Sequence, residues 1–226
     1  MRKPFVVAID GPAGSGKSTV SKAVANSLGF GYCDTGAAYR TLAWACIEAK
    51  VDLDDENSIL TVHSATTYGS SDNPEEQVFL VDGVDVSAAI REESVSRAVS
   101  KIARHPGVRK ALIRSFRDLI KSSNRTGIVM EGRDITTVVA PDAEVRILLT
   151  ADQGVRIARR QAEFQVKASE PIARGLVDRD QKDSEVVDFM VPADGVRLLD
   201  SGPLSFEQTV EATLSIIFDE VGDLSV

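Results

Sequence analysis

The chain is poor in the residues that build most metal and nucleophile sites: its 226 residues include two cysteines and two histidines. Cys33 and Cys46 lack the Cys-x-x-Cys or Cys/His spacing of a zinc or redox site, and His63 and His105 stand too far apart to supply one. Reduced, partly buried thiols are expected. Aromatic residues are only 5%, and positive charge is in deficit, 26 basic against 34 acidic residues for a net charge of −8. That argues against a nucleic-acid partner, which calls for a basic face with stacking platforms. Long apolar runs are missing too. None approaches the roughly 20 residues of a membrane span, and Met1 to Pro4 leads into a short apolar strand rather than a signal peptide. A cytoplasmic monomer with no membrane or nucleic-acid partner is expected. There is no internal repeat and no low-complexity linker, and the length suits one α/β domain carrying an inserted subdomain or lid.

What the chain does have is a complete phosphate-binding loop. Gly11-Pro12-Ala13-Gly14-Ser15-Gly16-Lys17-Ser18 follows the apolar run Phe5 to Ile9, as a loop at the end of a buried strand should. Glycines allow the backbone to wrap phosphates, N–H groups and the next helix's N-terminus attract negative charge, and Lys17 adds a point charge. Ser18 would ligate Mg²⁺. The competing reading is a Gly-rich strand-to-helix turn that holds nothing.

Apolar spacing then predicts helices over Ser18 to Leu28, stopped by Gly29, and over Gly36 to Lys50 and Asp54 to Thr66. Gln77 to Val81 and Val84 to Val86 flank Asp82-Gly83 as a hairpin with a type I′ turn. The preceding stretch, Tyr68 to Glu76, reads as a loop. Two helices follow, Glu92 to Ala103 and Val108 to Ser122, then buried parallel strands at Gly127 to Glu131 and Glu144 to Leu149. A basic helix after Asp152 gives way to a polar stretch, Gln165 to Asp188. Val196 to Leu199 would close the sheet, and Ser205 caps a final helix to Val221.

Three further groups bear on chemistry. Asp34-Thr35-Gly36 opens a helix with Arg40 one turn inside, which suits a second anion or equally an N-cap with a solvated arginine. Glu131-Gly132-Arg133-Asp134 ends a strand on the carboxyl edge, where ligands of open α/β sheets collect. Arg133 offers a planar fork to phosphate and Asp134 an acceptor for an exocyclic amine, or the two are a structural pair; Glu131 is a candidate acid beside Mg²⁺. Arg156, Arg159 and Arg160 share a helical face, either as a phosphate clamp or as a solvated basic surface paired with Asp152 and Glu163. Arg179 and Asp183 form a similar i, i+4 pair, for ribose and phosphate or for the surface alone. No Ser/His/Asp or Cys/His nucleophile set is evident, and phosphoryl transfer requires none.

With these residues in view the chain resembles the bacterial cytidylate kinases, P-loop nucleoside monophosphate kinases that phosphorylate CMP and dCMP from ATP. The resemblance runs over essentially the whole length. It rests on IDGPAGSGKS (Ile9 to Ser18), DTGAAYR (Asp34 to Arg40), VDGVDVSAAIR (Val81 to Arg91), VSKIARHPGVR (Val99 to Arg109), EGRDITTVVAPDA (Glu131 to Ala143) and RDQKDS (Arg179 to Ser184). It implies a parallel sheet flanked by helices, with core segments 1–35, 125–152 and 190–226. A monophosphate-binding insertion containing the small β-structure would span 36–124, and a short helical lid 153–189. It further implies that Gly14 to Thr19 bind ATP phosphates, that Thr35, Arg40 and Arg133 lie along the monophosphate path, and that Ser100, Arg109 and Asp134 read cytosine. Arg179 and Asp183 match contacts to ribose and phosphate, and Arg156, Arg159 and Arg160 match the lid. The chain departs from the family's RDxxDxxR run, with Val186 in place of the last arginine, and the lid between Gln161 and Ala173 is shortened; weakened phosphate clamping is expected. Two other functions fit a P-loop: a kinase for a different small acceptor, and a nucleotide-dependent switch. Against the switch, no NKxD guanine-reading motif is present.

Overall fold

Alternate side chains of the first strand face two different cores. The computed structural model describes residues 3–163 and 190–222. In β1 (Phe5–Asp10), Val6 and Ala8 enter one apolar cluster and Val7 and Ile9 the other, the period of two that a strand buried on both faces imposes. β1 pairs in parallel with β6 (Gly127–Gly132) and β7 (Val145–Thr150). β2 (Gly31–Asp34) lies outside β6 and β8 (Arg197–Asp200) outside β7, giving the order β2-β6-β1-β7-β8.

On the Val7 side, α1 (Lys17–Leu28) packs Val20, Val24, Ala25 and Leu28, and α7 (Phe206–Val221) contributes Ile217. The final helix starts in a reciprocal capping box between Ser205 and Gln208. Across the sheet, α2 (Thr35–Glu48), α3 (Glu56–Ala65), α4 (Glu93–Ala103) and α5 (Pro106–Ser122) bury Leu42, Cys46, Ile59, Ile102 and Phe116 against Val6 and Met130. The fifth helix begins two residues earlier than apolar spacing suggests because Pro106, which lacks an N–H, is well suited to the first position. α6 (Gln153–Glu163) follows β7.

The Asp82-Gly83 hairpin forms as expected, between β4 (Phe79–Val81) and β5 (Val84–Asp85), with positive φ at both turn residues as type I′ requires. The stretch read as a loop from Tyr68 begins instead as a strand. β3 (Tyr68–Ser70) pairs antiparallel with β4 to make a three-stranded sheet. Three residues with a glycine in the middle carry no periodic signal, so only the pairing partner reveals the strand.

This insertion also covers the free edge of β2. Tyr32 N–H donates to the Asp72 carbonyl at 2.9 Å, and Arg125 grips the Asp72 carboxylate through Nε and Nη2 at 3.1 and 3.0 Å. Cys33 and Cys46 are free thiols, pushed up to about 12 and about 11 by burial, so both stay protonated and unreactive at neutral pH. Among the described residues no helix is long and apolar enough to cross a membrane.

Candidate active site

Strand order brings together motifs that are far apart in sequence. β2, β6 and β1 are neighbours, and at their carboxyl ends stand Asp34-Thr35-Gly36, Arg133-Asp134 and the phosphate-binding loop respectively. With strands about 4.8 Å apart, the loop after β1 and the helix after β2 lie roughly 10 Å from each other. The sheet order reverses beside β1, the usual place for a ligand crevice.

The loop is held from outside by arginines. Arg133 Nη1 donates to Gly11 O at 2.8 Å and Arg156 Nη1 to Ala13 O at 3.0 Å. Arg159 Nη1 donates to Ser15 O at 3.3 Å and to Ser201 Oγ at 2.9 Å, while Ser201 Oγ donates to Ser15 O at 3.0 Å. Engaging carbonyls 11, 13 and 15 turns the negative ends of those peptides away from an anion cradled by the loop. Two glycines permit this packing: a Cβ on Gly11 would meet Leu149 O at 2.1 Å, and Gly14, at φ +78°, would press one against Arg156 O at 2.9 Å. Lys17 Nζ reaches Pro12 O at 3.4 Å. Arg156 is 5% exposed and also donates Nε to Ala151 O, so it is not part of a solvated basic face. Shared helical spacing gives the direction of a side chain but not the backbone it meets.

Beneath Lys17 lie two carboxylates. Asp34 and Glu131 are register partners on β2 and β6. Glu131 is 2% exposed and accepts from Tyr32 Oη at 2.7 Å. Burial raises the Glu131 pKa, and the Asp34 charge adds to it, while Lys17, the Ser18 hydroxyl and Tyr32 oppose them. Burial also pushes on Asp34, yet Arg40, the Ala37 N–H and Lys17 hold it below its ordinary value. A buried acid, Glu131, and a half-buried one, Asp34, crowded together beside a serine hydroxyl form a set of hard oxygen donors whose repulsion a divalent cation would relieve. Among the described residues no group of three or more His, Cys, Asp or Glu is placed to hold a metal ion.

On the far side of β6, Asp34 caps α2 by accepting from Ala37 N–H at 2.8 Å and pairs with Arg40 Nη2 at 3.0 Å. Arg40 is therefore not a solvated arginine: its side chain is 15% exposed, and its buried Nε has no partner. Thr35 donates Oγ1 to Glu131 O at 2.7 Å. Arg109, from α5, pairs with Asp134 at 2.9 Å, both largely buried. Burial raises the Asp134 pKa against the pull of Arg109. Ser100, half-buried, lies on α4. Ser18 and Thr19 stand exposed at the start of α1, with Thr19 Oγ1 donating to Gly16 O at 2.8 Å. Arg160 lies half-buried on α6. Arg179, Asp183 and Val186 lie outside the described residues.

Three residues that the sequence reading passed over belong to this site. Asp10, 2% exposed, accepts from Ile135 N–H at 2.9 Å, Thr136 N–H at 2.8 Å and Thr136 Oγ1 at 2.6 Å. It ties the start of the loop to the turn bearing Asp134, which continues as a short π-helix, Ile135–Val139. Tyr32 and Ser201 are the others. The one available signal was Asp10, a carboxylate ending an otherwise apolar strand. A cavity of about 600 Å³ beside β2, walled by Leu42, Phe79, Leu112 and Phe116, shares Tyr32 and Asp34 with the site, but Lys17, Arg40, Arg109 and Arg133 are not among its lining residues.

The cytidylate kinase family model matches residues 7–219. The chain belongs to that family. A cytidylate kinase of Cutibacterium acnes is 41% identical over 217 residues, spanning 95% of this chain and 96% of that protein. One of Desulfitobacterium hafniense is 40% identical over 226 residues, 98% and 96% of the two chains. Among solved structures, an uncharacterized protein from Eubacterium ventriosum superposes with a TM-score of 0.53 at 11% identity, covering 94% of this chain and 98% of that one. That likeness speaks for the fold alone. Within the cytidylate kinase family the adjacency of loop, Arg133-Asp134 turn and Arg40 helix acquires a chemical meaning.

Proposed function

We propose that the protein transfers the γ-phosphoryl group of ATP to CMP, and to dCMP, giving CDP and dCDP. The observation that carries this reading is the placement of two anion-receptive groups, the Gly11 to Thr19 loop and the Arg40 corner, on either side of Arg133-Asp134 along one sheet edge. ATP's phosphates lie in the loop on backbone N–H groups and Lys17. The acceptor phosphate meets the unpartnered Nε of Arg40, beside Thr35 and Arg133. The cytosine 4-amino group donates to Asp134, and Arg109 donates to O2 and N3, with Ser100 at the base edge; uracil reverses the pattern at position 4.

Ser18 and Glu131 would hold Mg²⁺, which supplies neutralisation of charge on the triphosphate. Arg160 joins Lys17 at the transferring group. Arg156 and Arg159 brace the loop's carbonyls and meet phosphate only by exchanging those bonds. Arg179 and Asp183 complete the ribose and phosphate contacts. The divisions 36–124 for acceptor binding and 153–189 for the lid follow from this assignment, and the protein works as a cytoplasmic monomer.

Turnover of CMP, UMP, AMP and shikimate at equal concentration, followed by ADP release, tests the acceptor; preference for anything but CMP or dCMP overturns it. Calorimetry tests the geometry, since ATP and CMP must bind together rather than exclude one another.

A further inference from the structure

Tyr32 is 1% exposed, and its ring packs in the apolar core between the sheet and α1. A phenylalanine would fill the same space. What the hydroxyl adds is a single donated bond, 2.7 Å to Glu131 Oε1. The register explains why the two meet: Tyr32 sits opposite Val129, so Glu131, two residues further along β6, is its diagonal neighbour on the same sheet face. A buried hydroxyl costs stability unless bonded, and Glu131 is the partner that satisfies this one.

The kind of donor also matters. Glu131 is buried beside a second carboxylate, Asp34, and a lysine or arginine at position 32 would cancel its charge. A phenol stabilises the anion, fixes one of its oxygens and leaves the negative charge in place for a cation. Burial and the neighbouring carboxylates keep the phenol protonated, so it acts as a constant donor. We propose that Tyr32 is a positioning residue whose hydroxyl holds Glu131 in the orientation that receives the divalent cation accompanying the triphosphate. The inference rests on the reading above in which Ser18 and Glu131 hold that cation.

Mn²⁺ is the probe, its binding to the protein–ADP complex measured by the electron paramagnetic resonance of the free ion. Tyr32→Phe should weaken Mn²⁺ binding by about tenfold. It should raise the Mg²⁺ concentration for half-maximal transfer in proportion and leave KM for CMP at saturating Mg²⁺ unchanged. If Tyr32→Phe binds Mn²⁺ within about threefold of the parent while Glu131→Gln binds it far more weakly, the hydroxyl only packs, and the inference fails on its own. If Glu131→Gln also leaves Mn²⁺ binding unchanged, the metal reading falls and takes the inference with it. A measurement without core substitution at position 32 runs in parallel. Incorporation of 3-fluorotyrosine labels the chain's three tyrosines, Tyr39→Phe and Tyr68→Phe assign the signals, and the Tyr32 fluorine resonance should move when Mg²⁺ is added at constant ADP. A stationary resonance overturns the proposal.

Discussion

The donor and acceptor halves of this site are built in opposite ways. Most of the donor half comes from one stretch, Gly11 to Thr19, with the arginines of α6 and Arg133 bracing its carbonyls. In the proposed assignment the acceptor half would be gathered from α2, α4, α5 and the turn after β6, each supplying one or two side chains. Backbone does the work in the first case and side chains in the second. A contiguous backbone cradle reads any triphosphate tail, whereas convergent side chains read one base.

The strongest way to break that contrast is Lys17→Ala. Transfer should fall by about a thousandfold or more, with CMP binding by calorimetry largely retained, because in the proposed assignment the lysine contacts the triphosphate and not CMP. Comparable turnover in the variant would remove the loop from the mechanism. Asp134→Ala should do the reverse, eroding the ratio of kcat/KM for CMP over UMP by about a hundredfold while KM for ATP holds. Unchanged selectivity would mean the base is read elsewhere.

Asp10 joins the halves, so Asp10→Ala should damage both. Leaving two buried N–H groups unpaired costs about 3 kcal/mol by urea denaturation, and the KM values for ATP and CMP should rise together. A rise in one alone would show the halves to be separately anchored. Val186→Arg restores the family arginine and should raise kcat/KM for CMP by about tenfold at most; no gain would dismiss the weakened clamp.

The smallest effect concerns pH. Asp134 has its folded pKa raised by burial, so the folded state keeps this proton longer than the unfolded one. Its contribution to stability is fullest below the ordinary value of 3.8 and is lost as pH rises through the folded pKa. Asp134→Asn should therefore flatten the decline in denaturation free energy above pH 3.8; an identical slope would place the proton on another group.

The same contrast governs what the sequence discloses. The loop, its strand and α1 are local, and residue types at fixed spacing identify them without any partner. Asp82-Gly83 is local as well, since positive φ at both positions restricts the turn. Arg40 and Asp134 were legible locally as candidates, each with a competing structural reading, but Ser100 and Arg109 only through family resemblance, because nothing in spacing says that residues 40, 109 and 134 meet. Asp10, Tyr32 and Ser201 escaped even that, each acting through long-range bonds that no periodicity encodes. Arg156 shows the limit of helical-face reasoning: the side chain pointed as expected, but a peptide carbonyl met it.

The cover over β2 has a consequence for solubility. An uncovered marginal strand invites a second copy to dock by ladder extension. Here the main chain at Asp72 already occupies that margin, and the guanidinium fork of Arg125 clasps it. A protease nick in the 71–77 segment would thus announce itself as turbidity before turnover declined.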